Sequence, residues 1–171
     1  LDEVYVLAHA NISSYDLGSY NIDVVEKLRF DVGVDYDANH GNSNAFLPSH
    51  PLGPQAPLMD WGWPSGYFFF DLNGAIDDNE DGEPNSNFEF RGFGDDLLTA
   101  VELNFNSAAN SGQIDLSVQV FLDRWIGLLD LDVIGINHGN TQAHNTYMQN
   151  TTSNNVFVTG IAASASSLQT S

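Results

Sequence analysis

The chain has 171 residues, 42% of them hydrophobic, which suits one domain that buries about two-thirds of its unfolded surface. A net charge of −19, from 23 acidic against four basic residues, excludes nucleic acid and anionic membrane as partners and suits hard cations, salty surroundings or plain solubility. The lack of cysteine excludes disulfide and thiolate-metal frameworks, and no apolar run approaches the ~20 residues of a membrane span.

Period-two alternation dominates the chain. VYVLA (4–8) reads as a first short strand, and VEKLRFDVGV (25–34) sets Leu28, Phe30, Val32 and Val34 against Lys27, Arg29, Asp31 and Gly33. That is the pattern of a half-buried antiparallel strand. Residues 35–70 then place His40, His50, Met59, Trp61, Trp63 and five of the six prolines in one connection. GYFFFDL (66–72) and NFEF (87–90) follow as strands, as do AVELNF (100–105) and QIDLSVQV (113–120). Helical signal is confined to LDRWIGLLDL (122–131) and a short run near 140–150. The tail, 162–171, is small and polar and is expected to fray. With turn-rich segments between short strands, the prediction is all-β: a single-domain antiparallel β-sandwich, with one or two short helices in the C-terminal third.

Between two strands, AIDDNEDGEPN crowds Asp77, Asp78, Glu80, Asp81 and Glu83 into seven residues. Carboxylates ~6 Å apart repel by a little under ~1 kcal/mol per pair even in water, a cost that a dication would remove. Asp77-x-Asn79-x-Asp81-Gly82 matches the first half of a calcium loop, with Glu83 offering its carbonyl. The twelfth position is Phe88 and the flanks read as strands, so this is a calcium-binding turn in a β-protein or a solvated hairpin loop, not an EF-hand.

Imidazole is the transition-metal ligand to look for in a chain without cysteine. His40 and His50 bracket the long connection, while His138 and His144 sit six apart near the other end, a spacing that puts them on different sides of a helix. The copper candidates are therefore His40, His50, His138 and His144, provided the fold gathers them; His9, on a strand, reads as structural. No hydrolase elbow, phosphate-cradling glycine loop or HExxH motif occurs, and no pair of carboxylates can be singled out among 23, so the chain reads as no enzyme. Two glycosylation sequons, at Asn11 and Asn150, are short enough to arise by chance.

LRFDVGVDYDANH and SHPLGPQAPLMDWGWPSGYFFFDLNG resemble the core signature of the MbnP-like family, β-rich proteins related to the MopE and CorA copper-binding surface proteins of methane-oxidising bacteria. Gly33-Val34-Asp35, Asn39-His40, Met59, Trp61, Trp63, Gly66 and Tyr67 carry the match, and Asp123-Arg124-Trp125 with His138 is similar to the family's C-terminal segment more loosely. The resemblance implies a β-sandwich that is periplasmic, secreted or at the cell surface of a bacterium, without membrane insertion. It also implies copper held by histidines and by a tryptophan oxidised to kynurenine through a partner dihaem enzyme. No tryptophan stands two residues from a histidine, so no kynurenine position is assigned. Met59, Trp61, Trp63 and Tyr67 read instead as a structural cap that seals one end of the sandwich.

Family domains begin with strands upstream of the segment like VYVLAHANISSYDLG, and a start at Leu1 without methionine suggests a processed chain. A sheet edge left open by missing strands invites a strand from another copy. Two functions follow from these readings. One is an exported, non-catalytic copper-binding protein, which needs imidazole nitrogens about 4–5 Å apart around one ion with bonds of ~2.0 Å. The other is a calcium-stabilised subunit of an extracellular filament or other assembly, which needs a foreign strand and an interface well beyond ~1,000 Å².

Overall fold

The computed structural model describes residues 4–160 except Gln55 and Trp63, so the expectations for Trp63 and the tail 162–171 lie outside the described residues. In chain order the elements are β1 (Val24–Val32), α1 (Tyr36–Asn39), β2 (Phe68–Ile76), β3 (Ser86–Phe93), β4 (Thr99–Ala108), β5 (Val118–Val120), α2 (Leu122–Trp125), α3 (Leu131–Ile134), β6 (Ile136–Gly139), α4 (Gln142–Ser153) and β7 (Phe157–Thr159). The strands group as β1–β4, β2–β3–β6 and β5–β7. All pairings are antiparallel except β3–β6. The architecture is the expected all-β sandwich, and α2, α3 and α4 are the C-terminal helices.

Alternation explains the strands. In β3, Phe88 and Phe90 are buried while Glu89 and Arg91 point to the other face. β2 departs from this rule, with Phe68, Phe69 and Phe70 all buried. A register shift between Phe68 and Phe70 inserts a bulge there, so successive aromatic rings are covered on both faces of the strand. Gly92, opposite Phe70, has no alternative: a Cβ at that position would lie 2.2 Å from the Phe70 ring.

The core joins β2 and β3 to α4, with Phe70, Phe90, Tyr147 and Met148 at its centre. Phe90 is fully buried, against Phe70 at 5.1 Å and Tyr147 edge-on at 5.7 Å. Trp125 of α2 stacks on Tyr147 at 4.9 Å and meets Phe157 of β7 edge-on at 5.1 Å. Asn150 closes this layer, since its buried amide donates to the carbonyls of Trp125 (2.9 Å) and Gly127 (2.5 Å). That use of Nδ2 takes the Asn150 sequon out of solvent.

Two strand expectations need correction. Residues 4–8 form no strand: Tyr5 and Leu7 are half-covered and Val4, Val6 and Ala8 exposed, but the run has no ladder partner among the described residues. Alternation records a one-sided environment; a strand needs a neighbour's backbone as well. Of residues 113–120, only Val118–Val120 pair as a strand. Gln113 bridges Asn110 across a tight turn at Ser111 and Gly112, both with positive φ, which turns the chain out of β4 and leaves the stretch between unpaired.

Candidate functional site

The β2–β3–β6 sheet carries a charged row on the face away from the core. Register sets Asp71 opposite Arg91 and Arg91 opposite His138, so one residue from each strand stands side by side. Arg91 Nε lies 3.0 Å from Asp71 Oδ1, and its terminal nitrogen lies 2.5 Å from Glu89 Oε1. His138 Nε2 reaches the same Glu89 oxygen at 2.8 Å, but the nitrogen is buried without a well-directed hydrogen bond. The contact is therefore an ion-pair approach of a nitrogen and an oxygen, with both side chains partly solvent-accessible.

Trp61 covers this row. Its backbone N–H donates to the Gly66 carbonyl at 2.8 Å, and Asp60 bridges Tyr67, so the loop folds back over the start of β2. The indole meets Phe68 edge-on at 4.9 Å and His138 edge-on at 5.4 Å, and stacks parallel to Phe93 at 6.4 Å. The Arg91 guanidinium sits over the Phe68 ring at 5.3 Å. Trp61 is 50% exposed, so it is a lid on the outer face rather than a core plug.

The other cap residues do pack inward. Met59 lies against the core, and its carbonyl accepts from Phe68 N–H at 2.7 Å. Tyr67 is buried and donates to the Leu52 carbonyl at 2.5 Å. Burial, then the negative charge of Asp60, pushes its phenol up to about 12.

The fold does not gather the four histidines at one point. His40 Nε2 meets Asp95 Oδ2 at 2.9 Å, while Asn39 donates to Asp95 Oδ1 at 2.8 Å and accepts from Tyr67 N–H. The His40 contact, aided by Asn39, holds the Asp95 carboxyl below the usual carboxylate range. His40 and Asn39 line a polar cleft of about 350 Å³ shared with Ser43 and Asp60, whose side chains hydrogen-bond. His50 accepts from Leu52 N–H through Nδ1 at 3.1 Å and stacks on Phe46 at 4.6 Å.

His144 is fully buried, stacked on Phe90 at 4.5 Å. Its Nδ1 accepts from the Thr141 N–H at 3.0 Å and pairs with the Thr141 hydroxyl at 2.9 Å, closing a capping box at the start of α4. Nε2 is buried near the backbone of Arg91 and Asn137 but makes no well-directed hydrogen bond. Burial lowers its pKa, and the nearby His138 adds to the lowering. The predicted pair His138 and His144 thus do come near one another, but from a strand and a helix, with His144 turned into the core. Among the described residues, no three histidine or acidic side chains form a group that could hold a metal ion.

In the acidic loop, backbone amides meet the carboxylates. Asp77 accepts from Asp81 N–H (3.1 Å) and Gly82 N–H (2.6 Å). Asp81 accepts from Glu83 N–H (2.9 Å) and from the Asn79 amide (3.0 Å). These bonds offset part of the repulsion that charge counting alone assigns to the loop.

Sequence reading missed Asp71, Glu89 and Arg91. The signal was present: Arg91, one of four basic residues, is in phase with Glu89 and out of phase with Phe88 and Phe90. What no pattern displays is the parallel β3–β6 pairing that delivers His138 to them. A family model described as MbnP matches residues 2–152. No curated protein and no solved structure matches the chain.

Proposed function

The chain belongs to the MbnP family, and from that premise we propose that it is an exported, non-catalytic metal-binding domain whose copper ion is held by His138 and Glu89 beneath Trp61. The observation that carries the reading is the 2.8 Å approach of His138 Nε2 to Glu89 Oε1 without a directed hydrogen bond, roofed by an indole. One borderline nitrogen and one carboxylate oxygen side by side suit copper(II) better than copper(I), which favours sulfur. A cage of four imidazoles does not fit: His144 is fully buried in the core with Nδ1 held by Thr141, and His40 and His50 are engaged elsewhere.

The residues have separable tasks. His138 supplies the nitrogen, and protons compete with metal for it, so uptake weakens as the imidazole protonates. Glu89 neutralises charge, while Arg91 holds Glu89 in place and, being cationic, keeps affinity modest. Bound copper would supply a redox-active centre at the protein surface. Of the two described tryptophans, the half-exposed Trp61 is the one that a partner dihaem enzyme would reach, since Trp125 is packed between Tyr147 and Phe157. No helix among the described residues is long and apolar enough to cross a membrane, which is compatible with export.

Metal analysis and peptide mass mapping of protein purified from its natural source test the proposal. Copper in the preparation, with oxidation confined to the Trp61 peptide, is the expected result. Metal-free protein with an unmodified Trp61 would count against it.

A further inference from the structure

One segment has the pattern of a strand and none of the pairing. Residues 11–24 are exposed throughout, including Ile12 (46%), Tyr15 (38%), Leu17 (37%), Tyr20 (37%), Ile22 (43%) and Val24 (47%). Tyr15 and Leu17 share one phase of a period-two pattern, and Tyr20, Ile22 and Val24 share the other. Gly18, with φ +98°, stands between them; a bulge there returns all five apolar side chains to one face. Among the described residues, the backbone of residues 13–22 makes no hydrogen bond to any strand. Its bonds are local, such as Gly18 N–H to Asp16 at 2.8 Å. Unpaired amides beside an exposed apolar row are unstable in isolation and act as a template for strand addition.

A matching edge lies on the same molecule. β1 belongs to a two-stranded sheet and pairs only with β4, so its second edge is open among the described residues. Its apolar row, Leu28, Phe30 and Val32, is only half-buried. β1 also carries Lys27 and Arg29, two of the four basic residues, which share Glu102 of β4 as an ion-pair partner (2.5 and 3.3 Å) and lie in phase with Asp31, whereas residues 1–23 carry Asp2, Glu3, Asp16 and Asp23 and no Lys or Arg. A strand whose apolar row continues that of β1 puts Asp16 and Asp23 on the face of Lys27 and Arg29.

We infer that residues 12–23 of one copy add as a strand to the open edge of β1 in a second copy. The arm enters its own β1 directly, so the edge it fills belongs to a neighbour, and the contact is head-to-tail, giving rings or filaments. The twelve-residue arm carries five large apolar side chains, Ile12, Tyr15, Leu17, Tyr20 and Ile22, and the last four lie on the row that continues that of β1.

Sedimentation velocity of the whole chain from low to high micromolar concentration tests this, with hydrogen exchange of residues 13–22 in parallel. Concentration-dependent association is expected, together with amide protection that appears only in the associated form. Leu17→Pro with Ile22→Pro should abolish association while the far-ultraviolet circular dichroism stays unchanged. Arg29→Glu should weaken association, and Asp16→Arg in the same chain should restore it. A protein monomeric at every concentration overturns the inference. So does association that survives the double proline variant, or protection already present in the dilute monomer, which would give the arm to another segment of its own chain.

Discussion

Replacing His144 separates a cap from a titration. The imidazole is fully buried, completes the capping box with Thr141, and is held neutral by burial. Below its ordinary value of 6.5 the unfolded chain binds a proton there that the folded chain refuses. Stability therefore falls as pH drops through 6.5, by at most about 1.4 kcal/mol per pH unit, until the lowered folded value is passed. Asp35 and Asp95, whose carboxyls are lowered by Tyr5 and His40 respectively, act in a separate window, losing their contribution only as pH falls below 3.8. His144→Leu removes the cap and leaves the Thr141 N–H without its partner, a loss of about 1–3 kcal/mol at neutral pH. His144→Gln keeps a side chain suited to the third helical position and should cost less. Both variants should lose the pH slope. Urea unfolding one pH unit either side of 6.5 measures it, and a wild-type slope that persists in both variants would refute the assignment.

Three further outcomes follow from contacts already described. Gly92→Ala pushes a Cβ to 2.2 Å from the Phe70 ring and should cost about 1–3 kcal/mol by thermal or urea unfolding. Asn150→Ala leaves the carbonyls of Trp125 and Gly127 unpaired and should cost about 2–4 kcal/mol, with the Trp125 fluorescence altered as its layer loosens. His40→Ala should let the Asp95 carboxyl rise toward its ordinary value, seen as an upward shift of its carbon-detected NMR titration.

Much of the sheet was legible because water enforces alternation: Phe88 and Phe90 inside with Glu89 and Arg91 outside leave one way to lay β3. Helix α4 was legible near 140–150, though the role of His144 was not. Its place three residues after Thr141 is a capping-box spacing with imidazole where glutamate is usual. The candidate site was half hidden. His138 stood out by residue type, but its neighbours come from β2 and β3 through a parallel pairing that no local pattern encodes. Residues 4–8 show the converse, a clean alternation without the neighbouring backbone that would make it a strand. In the acidic loop, charge counting left out the amides of Asp81, Gly82 and Glu83 that accommodate the carboxylates.

The most direct test of the metal assignment is copper(II) titration followed by electron paramagnetic resonance on the wild type and on single histidine variants. The account predicts a spectrum with one imidazole nitrogen that disappears in His138→Ala, weakens in Glu89→Gln and persists in His40→Ala and His50→Ala. Copper binding that survives His138→Ala, or that is lost only when His40 or His50 is replaced, would contradict it.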